Sequence, residues 1–454
     1  MVRSESEGAG ADGTLGRLWL SLAITHFYQW KYDEAERDCA RAIECGERSG
    51  DRGLVASARK WLGSAYLTSG AVDRAYETLE QVLREARETK DTAGTGHVLA
   101  SLGRAAMLKG DSERARAYLE EALSGLRAGG WLSEAARALS NLGAIEHILY
   151  RWDEAARRYT EALSLYQGLG FKAGCAAVLI NLSDNSQSRG WLEEALRQGR
   201  QAILYGEEDP RWHCHGMLCV ARANYALGDL RSARRDAVAA LRISRTARLH
   251  GPTEIAERLL GEISLLQGKP MAARKHLQRA LAYNEKRGSR RWQAVCRARL
   301  AEVEMAAGNL QAAAVLAQSA CEVARDEGAE SALALARSVR GRLRLRQGQP
   351  EQALSDLLTA EQFFSGGRIH DELAELALQI GKANLQLGRL RFAALYFRTA
   401  LDAVEQVAER LESESNRTMF LSDPRRQAVF AAVRTLRAAA EAAVPDSRSG
   451  DEQE

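Results

Sequence analysis

The sequence predicts an all-α solenoid, and three periodic features carry that expectation. An alanine returns as Ala35, Ala75, Ala115, Ala155, Ala195, Ala233, Ala273, Ala313, Ala353 and Ala393, forty residues apart at every step except the thirty-eight from 195 to 233. Twelve residues before each marker stands a small residue: Ala23, Gly63, Gly103, Gly143, Ser183, Ala221, Gly261, Ala301, Gly341 and Gly381. Five residues before the marker, eight of ten positions are glycine, which lets a helix end in a left-handed residue and the chain reverse. Each period therefore reads as a helical hairpin. Its small residues let two backbones approach, and its neighbours cover its open faces.

Taken in order, residues 1–13 are rich in Gly, Ser and Glu and carry too little apolar surface to fold alone, so a disordered leader is expected. Gly8, Gly10 and Gly13 spell G-x-G-x-x-G, but no strand precedes them and no βαβ unit follows, so no dinucleotide cofactor is expected. Repeats one to five fill residues 14–205. The first hairpin is either closed by its own aromatic residues, Trp19, Phe27, Tyr28, Trp30 and Tyr32, or cut from a longer chain. Trp30 and Tyr150 stand where the other repeats have the turn glycine, and Asp33, Asp73 and Asp153, two residues before the marker, are expected to cap second helices. Four residues after the marker, Gly199 replaces the large residue found as Leu79, Leu119, Tyr159, Leu277 and Phe397. The link that follows, 206–212, carries the helix-starting pair Asp209-Pro210, so the bend in the array is expected here. Repeats six to ten fill 206–412. Residues 413–444 read as a linker and an amphipathic capping helix with Val429, Phe430, Val433 and Leu436 on its apolar face, and 445–454 as a disordered acidic tail.

These positions, with the pairs Leu62-Gly63, Leu102-Gly103, Leu142-Gly143 and Leu260-Gly261, resemble those of tetratricopeptide repeats over roughly residues 15–411. The period is longer than the usual repeat of about thirty-four residues. Gly50, Gly130, Gly170, Gly288 and Gly328 end the second helix where a proline is common. Such lengthened repeats are similar to those of kinesin light chains, of Pins-type polarity adaptors and of the sensor regions of large bacterial signalling regulators. The stretch from Phe420 to Arg426 resembles the closing segment of helical arrays attached to bacterial kinases and signalling ATPases.

The resemblance implies a right-handed α-α superhelix of about ten hairpins whose first helices line a concave surface. Carried across residue by residue, it places Ser101, Arg104, Arg137, Ser140, Asn141, Asn181, Asp184, His215, Cys219, Arg222 and Arg258 on that surface. Asn141 and Asn181 share one phase, and an amide there can both donate to and accept from an extended backbone. The arginines would favour an acidic or phosphorylated segment through charge-assisted bonds.

Composition narrows the function classes. With 63 basic and 60 acidic residues interspersed, the net charge of +3 supplies no global field for nucleic acid or an anionic membrane, and neither is expected as a partner. The run Arg337, Arg340, Arg342, Arg344 and Arg346 fans around several helical faces and lacks stacking aromatics. It reads as partner docking or as internal salt bridging. Seven cysteines without a C-x-x-C pair read as reduced thiols of a cytoplasmic protein. His213, Cys214, His215 and Cys219 make one metal-like cluster, which lacks a second set of ligands, so no metal is expected. No P-loop, H-E-x-x-H or G-x-S-x-G motif occurs, so no enzyme is expected within the chain. The reading is a scaffold that binds a protein or peptide segment, extended or acidic, in its concave groove. The alternative is the sensor part of a bacterial kinase, signalling ATPase or transcription regulator whose catalytic part lies elsewhere.

Overall fold

The computed structural model describes residues 2–29, 31–88, 92–367 and 370–442, which form twenty-two helices and, among the described residues, no strand. The chain divides into two compact units, Met1–Gly174 and Cys175–Glu454. The first holds four hairpins: α1 (Val2–Tyr28) with α2 (Tyr32–Ser49), α3 (Arg52–Ser69) with α4 (Val72–Glu88), α5 (Thr92–Leu108) with α6 (Ser112–Ala128), and α7 (Leu132–Ile148) with α8 (Trp152–Gly168). The second holds six more. They are α9 (Lys172–Ser188) with α10 (Leu192–Tyr205), α11 (Pro210–Leu227) with α12 (Leu230–Thr246), and α13 (His250–Leu266) with α14 (Pro270–Lys286). Then come α15 (Arg290–Ala306) with α16 (Leu310–Asp326), α17 (Glu330–Arg346) with α18 (Pro350–Gly367), and α19 (His370–Gln386) with α20 (Leu390–Glu409). Two further helices, α21 (Glu414–Ser422) and α22 (Pro424–Ala442), end the described chain.

The expected reversals are made as the glycines require. All eight turn glycines adopt φ between 69° and 91°, and the five that stop second helices lie between 66° and 73°. Tyr150 takes the same left-handed conformation at φ 60°, and Trp30 lies outside the described residues. The caps are corrected. Helices α2 and α8 begin before Asp33 and Asp153, so these carboxylates sit in the first turn, where they favour the positive end of the helix dipole without capping. The capping aspartates stand two residues earlier in the repeat: Asp111 accepts from Arg114 N at 3.0 Å and Asp229 from Ser232 N at 3.0 Å.

At each hairpin crossing, the side chain four residues after the marker fills the space left by the residue twelve before it. A Cβ added to Gly63, Gly103, Gly143, Gly261, Gly341 or Gly381 would lie 2.4–2.7 Å from Leu79, Leu119, Tyr159, Leu277, Leu357 or Phe397 respectively. Where the first residue is larger than glycine, the second is small: Ala23 with Cys39, Ser183 with Gly199, Ala221 with Ala237, and Ala301 with Ala317. No crossing joins two large side chains. Gly199 is thus buried against Val220, 2.9 Å from where its Cβ would be, and Ser183 Oγ satisfies itself on Ala195 O at 2.8 Å. The fifth repeat departs from pattern because Gly199 admits the backbone of α11, Val220 N lying 3.2 Å from where its Cβ would be, and the boundary between compact units falls earlier, at 174.

The N-terminal stretch is also corrected in part. Residues expected to be a leader belong to α1, where Asp12 pairs with Arg48 at 3.0 Å and Gly13 lies against Ser49. Phe27 meets Tyr32 and Trp61 edge-on at 5.7 and 5.3 Å, while Arg41 lies 4.5 Å over Trp19. The side chain of Tyr28 and the acidic tail lie outside what is described.

The capping helix does more than cover the last repeat. Phe420 and Val429 are buried in one cluster with Phe397 of α20 and with Leu192, Leu196 and Val220 of α10 and α11. Polar bonds seal this return of the chain onto the first two hairpins of its own unit. Glu193 accepts from Glu412 N at 2.8 Å, Ser413 N at 3.1 Å and Asn416 Nδ2 at 2.6 Å. Arg425 and Arg426 donate to the C-terminal carbonyls of α11, Tyr225 O at 2.7 Å and Ala226 O at 3.1 Å, and both pair with Asp423. Burial raises the Glu193 carboxyl, but its three hydrogen bonds outweigh this and hold it below its usual value of 4.5.

Two expectations follow from packing and closure. Gly143→Ala should destabilise the wild type by about 1–3 kcal/mol through its clash with Tyr159, yet be neutral or stabilising in a Tyr159→Ala background. Additive losses in chemical denaturation would refute the volume pairing. Glu193→Ala should cost about 1.5–3 kcal/mol of closure and speed amide exchange across α21. Because the folded Glu193 value is depressed, the closure is fully present above the usual glutamate value and lost as pH falls through the lower, folded one; pH-independent exchange of α21 below pH 4.5 would contradict this.

Candidate functional site

The first helices of each unit present side chains at fixed phases, and eleven residues before the marker is the informative one. In the second unit that column reads Asp184, Arg222, Glu262, Glu302, Arg342 and Lys382. Neighbours of opposite sign meet along it. Arg222 pairs with Asp184 at 2.9 Å, Arg258 with Glu254 at 3.3 Å and Glu262 at 3.6 Å, and Arg299 with Glu262 at 3.4 Å and Glu302 at 3.0 Å. Arg342 pairs with Glu302 and, at 3.4 Å, with Glu375. Arg258 also lies 4.9 Å over the ring of Trp292. The charges of Asp184, Arg222 and Arg258 are therefore committed within the protein.

His215, on the same helix as Arg222, is held below the usual histidine value by burial and by Arg211 and Arg222, against the pull of Asp184. Its neutral ring tilts against Trp212 at 6.4 Å. Cys219 points its thiol at Asp184 Oδ1, 3.8 Å away, whereas Cys214 bonds Ala240 O at 3.5 Å on another side of the helix. Among the described residues no three His, Cys, Asp or Glu side chains converge as a ligand set. The arginine run is used internally: Arg340 forms a fork with Asp356 at 2.8 and 2.6 Å, Arg344 reaches the same carboxylate at 2.7 Å, and Arg346 donates to Met305 O at 2.8 Å.

The first unit differs. Arg104, half-buried on α5, donates to Thr68 Oγ1 at 3.1 Å, and burial together with the neighbouring Arg137 of α7 presses it below the usual arginine value. Among the described residues neither arginine meets a carboxylate. Ser101 turns its hydroxyl inward onto His97 O at 3.2 Å, and Ser140 is half-buried. Asn141, one residue further along α7, is half-buried and its amide has no partner among the described residues. Leu108 and Ile148, at one phase of successive first helices, are each 55% exposed. A cationic pair, an uncommitted amide and apolar surface thus lie on α5 and α7. Asn181, the counterpart of Asn141, is half-buried in the second unit.

Sequence reasoning therefore selected both sets of residues but not their difference in charge balance. It missed Glu302 and Lys382, which the eleven-before column would have revealed, and Arg299 and Glu375, which lie outside that column. Among the described residues no helix is long and apolar enough to cross a membrane.

Comparison with known proteins agrees with the geometry. Family models described as tetratricopeptide repeat match residues 20–49 and 96–124. No curated protein sequence matches the chain. Among solved structures, a Rap protein complexed with competence and sporulation factor superposes with a TM-score of 0.60 at 13% identity, covering 78% of this chain and 99% of that one. The apo quorum sensor NprR from B. thuringiensis superposes with a TM-score of 0.51 at 16% identity, covering 76% and 97%. At these identities the likeness concerns fold. With ten hairpins and the repeat models matching in two of them, the chain has the fold of a tetratricopeptide repeat array.

Proposed function

We propose that the array is a non-enzymatic interaction scaffold that holds an extended, acidic segment of a protein partner on its concave helices. The observation that carries this reading is the pair Arg104 and Arg137, two cations within interaction range that lack a carboxylate among the described residues. A carboxylate or phosphate between them would relieve their repulsion and form charge-assisted bonds. Asn141 would then read the partner backbone, with Ser101 and Ser140 beside it and apolar side chains of the partner resting on Leu108 and Ile148. In the second unit Asn181, Asp184, His215, Arg222 and Arg258 form a separate set that would attract no charge, because its arginines are already matched. Seven buried free cysteines fit a reducing compartment such as the cytoplasm.

A second reading treats the array as the sensor part of a bacterial regulator whose catalytic part lies outside this chain. It is favoured by the likeness in fold to a Rap protein complexed with competence and sporulation factor and to a quorum sensor. Both readings use the same groove.

Short acidic, neutral and basic peptides tested by fluorescence anisotropy should bind in that order. Arg104→Ala with Arg137→Ala should abolish the preference, and Asn141→Ala should cost about 0.5–1.5 kcal/mol for every peptide. Raising salt should compress the order, because exposed charge attraction is screened beyond about 8–10 Å. Equal binding of all three peptide classes, or an acidic preference that survives the double arginine variant, would overturn the proposal.

A further inference from the structure

The charge column of the second unit ends without its last partner. From Asp184 to Arg342 each charge meets one of opposite sign, but Lys382, the final member, has no partner among the described residues. At that end lies a cavity of about 320 Å³ between α15, α17 and α19. Its volume falls at the lower end of small-molecule pockets. Met305 and Leu345 give it apolar wall, and Arg342, Arg346 and Lys382 converge on it from two helices.

Formal charge in the lining is uneven, with Arg342, Arg346 and Lys382 beside Glu375. The only carboxylate there, Glu375, already accepts from Arg342 at 3.4 Å and from Gln379 Nε2 at 2.9 Å. Donors are left over. Arg342 Nε is buried without a partner, the Lys382 ammonium is uncommitted, and Arg346 spends one N–H on Met305 O. Burial, with the guanidiniums of Arg299 and Arg346, presses Arg342 below its usual value against the pull of Glu375. Arg342 is matched by Glu302 and Glu375, so Arg346 and Lys382, which meet no carboxylate among the described residues, are the cations that favour a charged acceptor.

We propose that this cavity binds a small organic anion, a carboxylate or phosphate ester with a short apolar part set against Met305 and Leu345. The site is independent of the peptide face on α5 and α7. Lys382 and Arg346 supply the charge that selects the ligand.

Isothermal titration of the full chain at low salt tests the site with citrate and glycerol 3-phosphate as probes and uncharged glycerol as the control. At least one anion should bind and raise the melting temperature, glycerol should not, and Lys382→Met should weaken the anion at least tenfold. Gln386→Glu, which adds a negative charge to the lining without removing a cation, should weaken it similarly. Arg104→Ala, in the first unit, should leave it unchanged. Failure of both anions to bind would overturn the proposal, as would binding that survives Lys382→Met and Gln386→Glu. So would loss in these variants of acidic-peptide binding alone, since the cavity would then serve a side chain of the protein partner.

Discussion

Everything in the array depends on how closely two helices of a hairpin can cross. The crossing is set by a pair of positions sixteen residues apart, such as Gly143 and Tyr159. Six crossings set a large side chain against a glycine and the other four join two small residues, so no crossing has to fit two large side chains between its helices. The same repeat fixes the phase of the first helices, which puts Asp184, Arg222, Glu262, Glu302, Arg342 and Lys382 at one position of successive repeats.

That inner face is not uniform. In the second unit the carboxylates and guanidiniums of adjacent repeats neutralise one another, and several of the pairs are largely withdrawn from water, as with Arg258 and Glu254. Burying such charges costs several kcal/mol per ion before the pairing returns it, so the ladder orders the groove more than it stabilises the fold. Arg104 and Arg137 in the first unit have no such match among the described residues. Among the described residues it is the pairing, rather than the number of arginines, that distinguishes these two sets.

The hairpins were legible in the sequence because glycine at a left-handed turn and a small residue at a crossing leave marks at fixed spacing. Gly70, Gly110 and their equivalents behave as their positions require. Helix starts were placed one or two residues late, because Asp33 and Asp153 favour a first turn as readily as a cap, and composition does not distinguish the two. Gly199 looked like a weak point when read alone, and the close approach of Val220 and Cys219 on α11 explains it. At the site, the phase argument found Arg104, Arg137 and Asn141, but whether an arginine is free depends on neighbours about forty residues away. The bond from Asn416 to Glu193, two hundred and twenty-three residues apart, leaves no periodic trace at all.

The return of α21 onto α10 and α11 changes the physics of the second unit from that of a line to that of a loop. In a linear array each repeat feels only its neighbours, so the terminal repeat opens at the cost of one interface and fraying proceeds inward. Here the tenth hairpin is held on both sides, by the ninth and, through Phe420 and Glu193, by the fifth and sixth. No repeat of this unit is an end in the energetic sense. Opening anywhere breaks two interfaces at once, which turns a gradual melting into a shared, all-or-none one and makes the last few residues of α20 as consequential for cohesion as the middle of the array.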